Sequence, residues 1–207
     1  MENPKNAENE MEYENTQIIR KDGKNCFVEV KSYSFPIGKV QLLFATYDVN
    51  RPVGDRYTSR VDSYLDIPTF LQWANEVKSG SLHRKMLEKK QLLLKKSPSD
   101  DEKKKMWEPL LSSMGGTSAK KLKEPRKDGM SLSRVMKLTA ASKADYLLTA
   151  ESGPGQENEK GLIVPRYGNK PENKVTISLT WRGLEELFLT VEAHYQAWLT
   201  AKYMQAG

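Results

Sequence analysis

The chain has 207 residues, with 33 Lys and Arg against 27 Asp and Glu, a formal charge of +6 and a single cysteine. That length suffices for one large domain or two small ones with a real hydrophobic core. One cysteine excludes an internal disulfide and a multi-cysteine metal site, and the longest apolar runs fall far short of the roughly 20 residues that span a bilayer.

The start of the chain is polar and acidic and has no apolar leader core, so the expectation is a soluble, cytoplasmic protein with no membrane partner. The charge is uneven: residues 81–130 hold 14 Lys and Arg against 7 Asp and Glu, and the rest is close to neutral. A basic balance favours an acidic partner, but here it belongs to the middle of the chain.

Residues 1–15, with Glu2, Glu8, Glu10, Glu12 and Glu14, read as a disordered acidic N-terminus. Residues 16–80 read as a first sheet–helix unit. A short strand at 16–20 is followed by a turn at Asp22-Gly23. A strand over 26–35 sets Val28 and Val30 against Phe27, Glu29, Lys31, Tyr33 and Phe35. After a turn at Pro36–Gly38, the strand over 39–48 sets Val40, Leu42 and Phe44 against Gln41, Leu43, Ala45 and Tyr47. The stretch from Ser59 to Val77 alternates as a strand and then passes at Pro68 into helical spacing, with Phe70, Trp73, Ala74 and Val77 on one face.

Residues 81–129 read as a basic helical insert: a helix to Lys96, a break at Ser97–Asp101 with Asp101 as a cap, and a flexible loop from Gly115-Gly116 to Gly129. Residues 130–207 read as a second sheet–helix unit. Its strands are expected at 131–139, 144–151, 161–167 and 174–180, with Ser152–Gly155 as a loop. Its helix, from Arg182 to about Met204, buries Leu184, Leu187, Phe188, Val191, Tyr195, Trp198 and Leu199. The strand-to-helix corner recurs 114 residues later: Val61, Leu65, Phe70 and Val77 become Val175, Leu179, Leu184 and Val191. Strands in blocks before each helix predict an α+β fold of two β-β-β-β-α units with antiparallel sheets.

Little in the chain suggests catalysis. His83 and His194 stand alone, no P-loop is present, and the Gly153–Gly155 segment lacks the strand–turn–helix setting of a dinucleotide site. The expectation is a non-enzyme without metal or cofactor. Interleaved basic and aromatic side chains on an open sheet face suit single-stranded nucleic acid, with bases stacked on rings and Lys or Arg following the phosphates. The candidates are Lys31, Tyr33, Phe35, Lys39, Tyr47, Arg60 and Tyr64 in the first unit. In the second they are Arg134, Lys137, Tyr146, Arg166 and Tyr167.

Two successive units ending strand-then-helix, at 60–77 and 174–191, resemble the Whirly family and the related coactivator-type single-stranded DNA-binding fold. The resemblance covers about residues 16–78 and 130–204 and implies a curved nucleic-acid surface and helix-mediated assembly. The family's Lys-Gly-Lys-Ala-Ala-Leu signature is absent, and the insert is longer than the family's usual connection. The segment ESGPGQENEKGLIVPRYG resembles proteins carried by bacterial mobile elements such as conjugative plasmids, which implies handling of transferred single strands. Two other readings remain open: a protein-interaction module that forms homo-oligomers through the C-terminal helix, and an accessory regulator bound to duplex DNA.

Overall fold

The computed structural model describes residues 16–205; the acidic segment 1–15 lies outside them. Strands β1 (Gln17–Gly23), β2 (Cys26–Lys31), β3 (Lys39–Tyr47) and β4 (Tyr57–Asp66) form an antiparallel meander in that order. β1 and β2 are joined through Lys24-Asn25 rather than Asp22-Gly23: Gly23 pairs with Cys26, and Asn25 takes the left-handed conformation (φ 58°) that short hairpin turns need. β4 runs directly into helix α1 (Ile67–Lys78).

Helices α2 (Ser81–Leu94) and α3 (Asp100–Trp107) follow. Ser99, not Asp101, caps α3. Its hydroxyl accepts from the Glu102 N–H, and the Glu102 carboxylate accepts from the Ser99 N–H, a reciprocal capping box. The insert is docked rather than free. Leu82 and Met86 are buried in the common core, and Lys90 Nζ donates to the Ala144 carbonyl at 3.0 Å and to Asp145 at 3.3 Å.

The second sheet holds five strands: β5 (Leu111–Thr117), β6 (Ser131–Ala140), β7 (Tyr146–Glu157), β8 (Ile163–Pro165) and β9 (Asn173–Leu179). Two expectations are corrected here. The Gly115-Gly116 pair belongs to an ordered strand, β5, in register with β6. Ser152–Gly155 is likewise strand, not loop. Gly116, Gly153 and Gly155 serve close approach. A Cβ on Gly155 would lie 2.7 Å from both Ile163 Cγ2 and Ser133 Cβ, and one on Gly116 would lie 2.2 Å from the Leu132 carbonyl oxygen. The long β7 shares one edge between two partners, β9 along Tyr146–Ser152 and β8 along Gly155–Glu157.

The strand-to-helix corner does recur. β9 leads into α4 (Trp181–Gln205) as β4 leads into α1, and all eight matched positions, from Val61 to Val191, are buried. Ser59 and Asn173, themselves 114 residues apart, are hydrogen-bonded at 3.2 Å, so the matched strands meet at equivalent positions. The equivalence stops at the corner. The second sheet has an extra strand, and its last strand pairs with β7 instead of β8. The fold is α+β with two antiparallel sheets and packed helices.

One hydrophobic core serves both sheets. Val28, Val30, Val40, Leu42 and Phe44 of the first sheet join Met136, Leu148, Val175 and Ile177 of the second. Each large aliphatic side chain so buried contributes roughly 1.5–3 kcal/mol. α1 and α4 close the core through Phe70 and Phe188. Beyond Val191, Tyr195 and Trp198 of α4 continue onto Phe35. The start of α4 is held at two N–H groups: Trp181 donates to Asp145 at 2.8 Å and Gly183 to the Thr180 hydroxyl at 3.1 Å.

Candidate nucleic-acid interface

Because the inner faces of the two sheets share a core, their outer faces point away from each other. Register fixes who lies where. On the first sheet Val28, Phe44 and Val61 fall in one inward row, so their neighbours Phe27, Ala45 and Arg60 fall in one outward row. The outward face carries a small apolar cluster of Phe27, Leu43 and Ala45, edged by Tyr47.

Tyr57 packs on Phe27 at 6.0 Å between ring centroids and Tyr47 at 6.2 Å, while the Arg20 guanidinium lies 3.7 Å above the Phe27 ring. With Val49, Gly54 and Arg56 from the β3–β4 loop, these groups enclose a pocket of about 460 Å³. Toward the other end of the face, Tyr33 and Tyr64 stand close together. Burial first, then the neighbouring Tyr64 hydroxyl, push the Tyr33 phenol well above its ordinary value. Tyr33, Tyr57 and Tyr64 remain 51, 54 and 39 % exposed.

The cations of this face are largely answered by its own acids. Arg20 pairs with Asp22 at 2.7 Å. Arg60 grips Asp62 through two nitrogens at 2.9 and 3.1 Å, and Asp62 also accepts from Gln41 at 2.7 Å. Lys39 pairs with Asp66 at 2.5 Å.

Three expected contact residues are corrected. Lys31 is only 4 % exposed and ion-paired to Glu29 at 2.9 Å. Phe35 turns inward in a short 3-10 segment and packs edge-on against Tyr195 and Trp198 at 5.3 and 5.7 Å. Tyr146 is fully buried on the inner face of the second sheet, 6.3 Å from Trp181 between ring centroids. None of the three can stack a base or meet a phosphate without unpacking the core or the face beneath it.

The remaining candidates divide among surfaces. Tyr33, Tyr47, Arg60 and Tyr64 share the outer face of the first sheet. Arg134 points inward from β6, toward the edge of β4. Lys39, Tyr64 and Arg134 line one cleft between the sheets. Lys137 and Tyr167 lie on the opposite side of the molecule, with Arg166 exposed beside Tyr167. There Glu151 bridges Lys137 at 3.2 Å and Lys174 at 3.1 Å, and these lysines hold its carboxyl below the usual range against the opposing effect of burial. The first unit therefore presents the coherent set.

Arg20, Arg56 and Tyr57 complete that set and were not anticipated. Their signal was faint: strict alternation from Val61 and Ser63 would turn Tyr57 inward, and only the register shift that pairs Tyr47 with Tyr57 brings it to the outer face, while Arg20 sits in the short strand β1 and Arg56 in a loop without periodicity. Among the described residues no group of three or more His, Cys, Asp or Glu could hold a metal ion, and no helix is long and apolar enough to cross a membrane. No protein-family model matches the chain, and comparisons with curated proteins and with solved structures return no match.

Proposed function

We propose that the protein binds single-stranded nucleic acid, DNA in the first instance, on the outer face of its first sheet. The observation that carries this reading is the set of exposed rings Tyr33, Tyr57 and Tyr64, together with Tyr47, interleaved with Arg20, Arg56 and Arg60 on one face. Rings that protrude from a rigid sheet can stack bases of any sequence, and arginines beside them can follow the backbone. The pocket under Tyr57 accepts one base edge-in, with Arg20 and Arg56 at its rim. The cations already paired to Asp22 and Asp62 must exchange carboxylate for phosphate, which favours modest affinity with a strong salt dependence. The resemblance to mobile-element proteins suits a role in handling transferred single strands.

Fluorescence anisotropy with a labelled oligo-dT and its duplex tests this. Single strand is expected to bind more tightly than duplex, and Tyr57→Ala and Tyr33→Ala are each expected to weaken it at unchanged thermal stability. Equal affinity for duplex would instead favour an accessory role on duplex DNA.

Assembly through α4 is a second reading, favoured by Tyr203 and Met204, both large and exposed at its end. Sedimentation of Tyr203→Glu beside the wild type decides it: a change from oligomer to monomer supports assembly, and a wild-type monomer dismisses it.

A further inference from the structure

A cleft of about 450 Å³ opens where the free edge of β4 faces β5, β6 and the chain entering β8. One wall is apolar, built from Leu65, Met136 and Ile163. The polar end is formed by Ser63, Thr117 and Arg134. Its size lies in the range of small-molecule sites, and its lining mixes polar and apolar surface about equally.

Two of those polar groups lack what their positions demand. Arg134 is partly buried, and burial holds its pKa down, yet a guanidinium stays charged at every physiological pH. Its Nη1 donates to the Thr117 hydroxyl at 2.8 Å, a neutral acceptor. Among the described residues it forms no ion pair within 4.0 Å. Asp62, whose charge faces it together with Tyr64, is already held by Arg60 and Gln41. Ser63, on the inward side of β4, is 4 % exposed, and its hydroxyl has no hydrogen-bond partner among the described residues. Buried hydroxyls are ordinarily satisfied, and a partly buried guanidinium ordinarily meets a carboxylate or water. Here a cation and a hydroxyl line the same cleft.

We propose that this cleft binds a small organic anion, a carboxylate or phosphate carried on an apolar body. The anionic oxygens pair with the Arg134 guanidinium, in the planar fork geometry such groups favour, and accept from the Ser63 hydroxyl. The body lies along Leu65, Met136 and Ile163. Lys39 stands at the mouth, paired with Asp66, and adds little net charge. This site lies inward of the β4 edge, and Tyr64 alone of the outer-face rings also lines it.

Calorimetric titration of the full chain with octanoate, octyl phosphate and octanol tests the proposal, since the three share a body and differ in the head. Saturable binding of octanoate or octyl phosphate is expected, with the tighter of the two naming the head group, and at least about tenfold weaker binding of octanol. Arg134→Gln is expected to lower the affinity for the anions about tenfold or more and to leave octanol unchanged. In the wild type, the Arg134 Nε–H resonance is expected to move on addition of the anion, a readout that needs no variant. Absence of heat from both anions up to about 10 mM, octanol binding as tight as the anions, or an unmoved Arg134 resonance would each overturn it.

Discussion

Phe70 of α1 and Phe188 of α4 stack with their rings 5.3 Å apart and only 9° from parallel. The two strand-to-helix corners are thus clamped ring to ring, with Trp73 tilted against the same Phe188 at 6.5 Å. Both sheets drain their apolar faces into this one contact. Phe188→Ala is expected to cost about 3–5 kcal/mol. Because the core is shared, unfolding followed by tryptophan fluorescence and by far-UV circular dichroism is expected to remain a single coincident transition in the variant. Two separated transitions would show that the sheets are independently stable.

The Glu29–Lys31 pair is buried on the outer face of the first sheet and answers a structural need. Glu29→Ala removes one partner of the buried Lys31 ammonium, at an expected cost of about 1–3 kcal/mol. The double variant Glu29→Leu, Lys31→Met is expected to regain most of that loss in a urea titration. Its affinity for oligo-dT should match the wild type, since Lys31 cannot reach a phosphate. A large fall in affinity with stability intact would return Lys31 to the binding surface.

Gly155 admits no side chain where β8 folds against β6 and β7. Gly155→Ala places a methyl 2.7 Å from Ile163 and from Ser133, and overpacking of this kind costs about 1–3 kcal/mol. Thermal unfolding measures it. Gly115→Ala, one residue from the crowded Gly116, meets nothing within 4 Å and is the matched control expected to be nearly neutral.

Asp145 links stability to pH. Its carboxylate accepts from the Trp181 N–H and lies against Lys90, and the backbone hydrogen bond first, then the lysine, hold it below the ordinary carboxylate range. A carboxyl depressed in the folded state contributes its full stabilisation above its unfolded pKa of about 3.9 and loses it as pH falls through the folded value. Asp145→Asn is therefore expected to be less stable than wild type at neutral pH. The difference should shrink as the pH drops below about 4, as read from denaturation midpoints across pH 2–7.

Salt dependence separates stacking from charge on the outer face. Arg56→Ala is expected to reduce the slope of log affinity for oligo-dT against log salt by about 0.7, one single-strand phosphate contact. Tyr57→Ala should weaken binding with the slope unchanged. An unaltered slope in Arg56→Ala would place the phosphate elsewhere.

Alternation made the first sheet legible. Val28, Val30, Val40, Leu42 and Phe44 repeat at period two, and their inward placement follows from that alone. The 114-residue recurrence likewise marked both corners, because packing a helix onto the end of its own strand imposes the same apolar spacing twice. What alternation cannot tell is whether an outward aromatic meets solvent or another element. Phe35 and Lys31 shared a predicted face with Tyr33, yet Phe35 leaves the strand at a 3-10 turn and meets α4. Tyr146 fits either side of a strand until its neighbours are known. The glycines misled for a related reason. Gly115-Gly116 and Gly153–Gly155 have the composition of turns, and only the crossing of Ile163 and Tyr167 shows that Gly116, Gly153 and Gly155 are small because something is close. The anion cleft was invisible in one dimension, since Ser63, Thr117 and Arg134 come from three strands, one of them read as loop.

The inner face of the first sheet is covered by β9 and α4, which follow it by more than a hundred residues. During synthesis at about 5–20 residues per second, those apolar strands leave the ribosome on the order of ten seconds before their cover exists. For that interval the nascent first sheet exposes Val40, Leu42 and Phe44 and an unguarded β4 edge. The protein's yield in a cell is therefore expected to depend on what shields that half-finished face, and a ribosome-stalled chain ending before Asn173 is where such a chaperone requirement would be seen.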